Sequence, residues 1–363
     1  MTAVPFGRFL LPGPTEVHPD VLAAMLRPMM GHRGSGMVEL LTGIEAPLSR
    51  LFRTERRVLV GTCAATGFME MAARCGIRNR ALSVVGGAFG ERFAAVAQSC
   101  GHDVVRLDVP LGATVEPDML RDALQRTEVD AVTLVHSETA TGALAPLAEL
   151  APVMREFDDV LFLVDAVTSL AGSPVETDAL ALDFVFTGSQ KALALPPGLA
   201  LGVASERMLA RARKLPGRGA YLDLVAFVEA FAERQPTNTP ALSLFYALAT
   251  QCQRIEAEGG VEARWARHDA MRRLVEQWVD GPGGALGYSY LPVVGRRSWT
   301  VSCLRTPPGV NGRDVVQRMK AAGWTLGTGY GKLKDDTIRI GHMGDHTPDG
   351  VCAALEALER SHP

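Results

Sequence analysis

Seven short apolar runs set the strongest constraint on how this chain folds: RVLVGT (57–62), ALSVVGG (81–87), DVVRLDV (103–109), AVTLVHS (131–137), VLFLVDAV (160–167), DFVFTGS (183–189) and LALGVAS (199–205). Their hydrophobic residues are consecutive rather than alternating, the pattern of strands covered on both faces. Segments long enough for a crossover helix, such as FGERFAAVAQSCG and LAELAPVMREFD, separate most of them. Strand–helix–strand repetition of this kind predicts an α/β fold, a mostly parallel seven-stranded sheet sandwiched by helices. Too few residues separate the last two runs for a helical crossover, so that pair is expected to be antiparallel.

Residues 237–281 carry helical periodicity broken at Gly259–Gly260, and strand and helix patterns alternate again after them. The expected organisation is an N-terminal arm (1–16), a large domain (17–258) and a small C-terminal α/β domain (259–363). A chain of 363 residues can bury cores of that size. The net charge of −3, with no basic stretch denser than RARKLPGR (211–218), argues against a nucleic-acid partner. The six cysteines are scattered without CxxC spacing and read as reduced, packed thiols, with no metal site. The N-terminus lacks the pattern of a secretory signal, and no run approaches the ~18 apolar residues of a membrane span. The expected setting is the cytoplasm.

In an open parallel sheet, ligands bind beyond the carboxyl ends of the strands. There this sequence gathers GTCAATG (61–67), GGAFGER (86–92), HSETATG (136–142), DAVTS (165–169) and GSQKAL (188–193). GTCAATG before a helical run suits an anion held by backbone N–H groups, and it also fits a plain strand–helix turn. Asp165 lies inside the strongly apolar LFLVDAVTS, where a carboxylate needs a cation or several donors; Thr168 and Ser169 could also satisfy it locally in a turn. The next strand brings Lys191 to the same edge. A buried acid, an isolated lysine and an anion loop together suit pyridoxal 5′-phosphate. The acid would partner the pyridine nitrogen, the amine would form a Schiff base with the aldehyde, and the helix start would hold the phosphate.

With these residues placed, the chain resembles the class V, fold-type I pyridoxal-phosphate-dependent aminotransferases. The nearest branch is that of the alanine/serine–glyoxylate enzymes. The likeness runs through LLPGPTEV (10–17), GHR (31–33), HSETATG, VDAVTSLAG (164–172), GSQKAL.LPPGLA (188–200), TNTPALSLFYAL (237–248) and TIRIGHMGD (337–345). The resemblance implies that Lys191 and Asp165 are catalytic and bind the cofactor. It also implies that Phe89 and Val167 flank the cofactor ring, that Thr139 faces its phenolic oxygen, and that Ala65, Thr66, Gly67 and Gln190 hold its phosphate. Asn238 and Thr239 match positions that reach the phosphate of the second subunit in a homodimer; a helix N-cap is the other reading for them. Arg339 matches the clamp for the substrate α-carboxylate, a task suited to a planar guanidinium. His32 and Arg33 read as an N-terminal turn.

The implied reaction moves an amino group from a small amino acid, alanine or serine, to glyoxylate or pyruvate. HSETATG and YLDLVAFVEA lean instead toward 2-aminoethylphosphonate–pyruvate transaminase. A lyase of the cysteine desulfurase type would need a mobile cysteine, whereas Cys303 reads as buried in a strand and Cys352 as helical. A cofactor-binding protein without turnover would not need Arg339.

Overall fold

A computed structural model describes residues 5–362. All seven apolar runs form strands of one sheet: Leu59–Gly61, Arg80–Val85, Asp103–Asp108, Ala131–Val135, Leu161–Asp165, Phe184–Gly188 and Ala200–Ala204. Numbered in chain order, they lie 1-7-6-5-4-2-3 across the sheet. Neighbours pair in parallel except at Ala200–Ala204, which runs antiparallel to both strands beside it. The expected antiparallel pair is therefore present.

One strand departs from the double-covered pattern. Asp103–Asp108 lies at the sheet edge, half-buried at best, with Asp103, Arg106 and Asp108 exposed. Arg106 pairs there with Glu91 and Asp108, both at 2.8 Å. Charges of this kind discourage a free edge from recruiting a further strand.

A second sheet orders Phe9–Leu10, Thr325–Thr328, Thr337–Ile340, Ser302–Arg305 and Ser289–Tyr290. Its helix Pro348–Arg360 buries Val351, Ala354, Leu355 and Leu358, one face at helical spacing. Thr347 caps that helix, its hydroxyl oxygen accepting the Gly350 N–H at 3.1 Å, with Pro348 in the first turn. Phe9–Leu10 joins this sheet by parallel pairing with Thr325–Leu326, and Leu10 is fully buried in its core. The segment read as an N-terminal arm thus contributes a strand; its first four residues, like Pro363, lie outside the described residues.

Two apolar cores result. The larger surrounds the seven-stranded sheet, and the smaller lies under the second sheet. Helix Gly260–Asp280 contributes to both, through Val261 and Trp265 at one end and Met271, Val275 and Trp278 at the other. The expected helical break occurs at Gly259 and Gly260, with φ of +110° and +84°, a region that side-chain-bearing residues rarely enter. Among the described residues, no helix is long and apolar enough to cross a membrane.

Candidate active site

The carboxyl ends of the strands bring most of the expected residues together. Asp165 is the last residue of its strand, and Lys191 follows the neighbouring strand by three residues. Both are buried, at 3% and 6% exposure, unusual for groups that water solvates so well. Asp165 Oδ1 accepts the Val167 N–H at 2.8 Å. Lys191 Nζ donates to the Pro12 carbonyl at 2.5 Å and lies 5.9 Å from the centre of the Phe89 ring. Gly13 allows that approach: a Cβ there would stand 2.6–2.7 Å from Cδ, Cε and Nζ of Lys191, and its φ of +104° disfavours side chains.

Neither charge is comfortable in this pocket. Burial pushes the Asp165 carboxyl up to about 7; the Val167 N–H opposes this, and Glu138 adds to it. Burial, with Arg339 adding to it, pulls the Lys191 ammonium down to about 8, while Asp165 and Glu138 pull the other way. An amine held near 8 is in part neutral at neutral pH, the form in which a lysine can attack or accept a proton.

Arg339 comes from the second sheet, in strand Thr337–Ile340. Its Nε donates to the Thr328 carbonyl (2.9 Å) and its Nη1 to the Thr139 carbonyl (3.1 Å). Both bonds serve to aim the fork, and neither involves a carboxylate. The Thr139 hydroxyl lies 2.5 Å from that of Thr168. Tyr330 stands by Phe89, with ring centres 5.8 Å apart, and carries the Arg339 guanidinium 5.5 Å from its own centre. A cavity of about 410 Å³ opens beside Tyr330, lined by Gly87, Ala88, Ala140 and Leu333 among others; Lys191, Asp165 and Arg339 do not line it.

Helix Ala65–Gly76 begins shortly after the first strand with Ala64 at its N-cap and no capping side chain; the Gly67 N–H already donates to the Ala64 carbonyl at 2.8 Å, which leaves those of Ala65 and Thr66 to an anion. Ala65 is buried, Thr66 exposed and Gly67 half-buried. Gln190 reaches the same corner: a Cβ on Gly188 would meet both its Oε1, at 2.5 Å, and Ala65 Cβ, at 3.1 Å.

The family profile described as Aminotransferase class-V matches residues 90–329. The chain belongs to the class V aminotransferases. An "uncharacterized aminotransferase" of Methanocaldococcus jannaschii is 34% identical, over 96% of this chain and 91% of the relative. An L-aspartate–glyoxylate aminotransferase of Paracoccus denitrificans is 30% identical, over 96% and 89%. The crystal structure of an alanine–glyoxylate aminotransferase from Nostoc superposes with a TM-score of 0.91, at 30% identity over 98% of this chain and 95% of that one. This enzyme therefore has the fold-type I architecture, and its family and structural neighbours imply pyridoxal phosphate as cofactor.

Not every expected residue joins the cluster. Asn238 and Thr239 are exposed, and the helix-capping reading fails for both: helix Leu242–Ala257 has Ala241 at its N-cap, without a side-chain bond. Their segment is tied back to the strand-one loop instead, where the Ala241 N–H donates to Thr62 Oγ1 at 3.0 Å. His32 and Arg33 lie in a turn before helix Ser35–Phe52. Cys303 is fully buried in its strand and burial raises its thiol to about 11; Cys352 is half-buried in a helix.

Pro12, Gly13, Tyr330 and the buried acid Glu138 are participants that the sequence reading left without a role. LLPGPTEV and HSETATG contain three of them, so the signal was present as motif membership without a chemical reason attached.

Proposed function

We propose that this enzyme is a transaminase that uses pyridoxal 5′-phosphate to move an amino group from a small amino acid, alanine or serine, to glyoxylate or pyruvate. One observation carries the reading: a buried acid and a buried lysine stand at adjacent strand ends, and the arginine that disfavours that lysine's ammonium form spends its hydrogen bonds only on carbonyl oxygens.

The residues fit that cofactor. The Asp165 carboxyl, raised by burial to about 7 although Lys191 and Arg92 oppose the rise, makes no direct ion pair among the described residues, and a protonated ring nitrogen would supply one. Asp165 would hold that nitrogen, Phe89 and Val167 would flank the ring, and Thr139 would face its phenolic oxygen. Ala65, Thr66, Gly67 and Gln190 would hold the phosphate at an uncapped helix start. When bound, pyridoxal phosphate supplies an electron sink that stabilises negative charge at the α-carbon of an amino acid.

Lys191 Nζ provides the attachment point and, once released, the base that removes the α-proton. Arg339 clamps the α-carboxylate in a bidentate fork and so orients the Cα–H bond toward that amine. Asp165, paired with a protonated ring nitrogen, would be held in its charged form. The glyoxylate enzymes among the relatives support a small oxo-acid acceptor. The proposal places the cofactor on residues 17–258, with residues 259–363 supplying Arg339. It also includes a cytoplasmic homodimer in which the exposed Asn238 and Thr239 reach the partner's phosphate. A screen of single amino donors, including alanine, serine, aspartate and 2-aminoethylphosphonate, tests it by bleaching of the bound cofactor's visible absorption. Rapid bleaching by alanine or serine is expected; bleaching by 2-aminoethylphosphonate alone would reassign the donor.

A further inference from the structure

Glu138 ends the two-residue strand Ser137–Glu138 and is 5% exposed. Its carboxylate accepts three backbone N–H bonds. Oε2 takes those of Phe89 (3.0 Å) and Gly90 (3.2 Å), and Oε1 takes that of Ala140 (3.0 Å). Helix Ala88–Ser99 has Gly87 at its N-cap and therefore no capping side chain of its own. Glu138, from a distant loop, occupies that place. Gly87 gives it room, since a Cβ there would stand 2.5 Å from Glu138 Cγ and Cδ. The φ of Gly87, 171°, is extended backbone, so the constraint is one of space alone.

A carboxylate suits the start of a helix, where unpaired N–H groups and the helix dipole both favour negative charge. The helix carrying Phe89 is thus already neutralised, whereas helix Ala65–Gly76 remains open to an anion. Burial raises the Glu138 pKa from 4.5, and the N–H bonds from Ala140, Gly90 and Phe89 oppose that rise. On its other side, Glu138 is followed by Thr139, whose carbonyl anchors Arg339 and whose hydroxyl meets Thr168. One carboxylate therefore fastens the backbone of Phe89 to the loop that aims Arg339.

We infer that Glu138 is a positioning residue for transamination: its carboxylate fixes Phe89 and the Arg339 anchor relative to Lys191 and adds negative charge to the pocket. The inference rests on the cofactor reading proposed above. Glu138 acts through its neighbours rather than on the reacting atoms. The charged groups facing Lys191 are Arg339 and Arg92, which disfavour its ammonium form, and Asp165 and Glu138, which favour it. Those facing Asp165 are Glu138, Lys191 and Arg92.

The test compares Glu138→Gln, Glu138→Asp and Gly87→Ala in the full chain loaded with pyridoxal phosphate. Glu138→Gln keeps the size, removes the charge, and turns an amide donor toward backbone donors. Its kcat is expected to fall about 10- to 100-fold, the range for misplaced reacting groups. The pH midpoint of cofactor capture by the cofactor-free protein should drop by about half a unit or more, because a neighbouring negative charge is lost. Glu138→Asp restores the charge without the reach, so its midpoint should return toward wild type while kcat stays low. Gly87→Ala pushes on the carboxylate and should lower kcat with the midpoint preserved. Wild-type kcat and midpoint in Glu138→Gln would overturn the inference. Should that variant fail to fold, unchanged kcat in Gly87→Ala would do the same. If the wild-type chain takes up no pyridoxal phosphate, the cofactor reading itself is what fails.

Discussion

Replacing Asp165 with asparagine should stabilise the cofactor-free protein while destroying its function. The carboxyl is held at about 7 in the fold against an ordinary 3.8, so the folded state binds its proton more tightly than the unfolded chain does. The stability this group contributes is complete below pH 3.8 and is lost as the pH climbs through 7. A shift of roughly three units corresponds to a ceiling of about 4 kcal/mol, part of which local relaxation relieves. Asparagine has no charge to bury, and its Oδ1 can still accept the Val167 N–H. Urea unfolding of both proteins without cofactor, at steps from pH 5 to 8, should show the variant's advantage growing up to about pH 7 and then levelling. Saturating pyridoxal phosphate should reverse the order, because only the wild-type carboxylate gains a cationic partner. A gap that ignores pH, or a variant less stable than wild type at pH 8 without cofactor, would refute the reasoning.

Two further outcomes follow from the same pocket. With Lys191 held near 8, about a quarter of the amine is neutral at pH 7.5, against about 0.1% for an ordinary lysine. Capture of pyridoxal phosphate by cofactor-free protein, followed by stopped-flow absorbance, should therefore rise with pH and level off just above 8; a climb continuing past pH 10 would show an unperturbed lysine. Arg339→Ala should raise KM for amino acids about 10- to 100-fold, the loss of a charge-assisted pair of hydrogen bonds, while cofactor absorption persists. An unchanged KM would remove Arg339 from the clamp.

The seven strands were legible because burial on both faces writes itself as unbroken apolar sequence, and Asp165 and Lys191 because each interrupts that pattern at a strand end. Asp103–Asp108 broke the rule because an edge strand meets water. Phe9–Leu10 is too short to show a period, and only its partner, Thr325–Leu326, makes it a strand. Glu138 and Pro12 act through contacts 49 and 179 residues away in sequence, separations that no local pattern encodes. The capping reading of Asn238 and Thr239 was sound local chemistry; it failed because the helix starts at Leu242, beyond the reach of either side chain.

The chain contains only five lysines, Lys191, Lys214, Lys320, Lys332 and Lys334, which makes the attachment point directly measurable. Protein equilibrated with pyridoxal phosphate, reduced with borohydride, digested and mapped by mass spectrometry should carry the phosphopyridoxyl group on Lys191 alone, at close to one per chain. Label spread over the other four lysines, or an unmodified Lys191, would contradict the account.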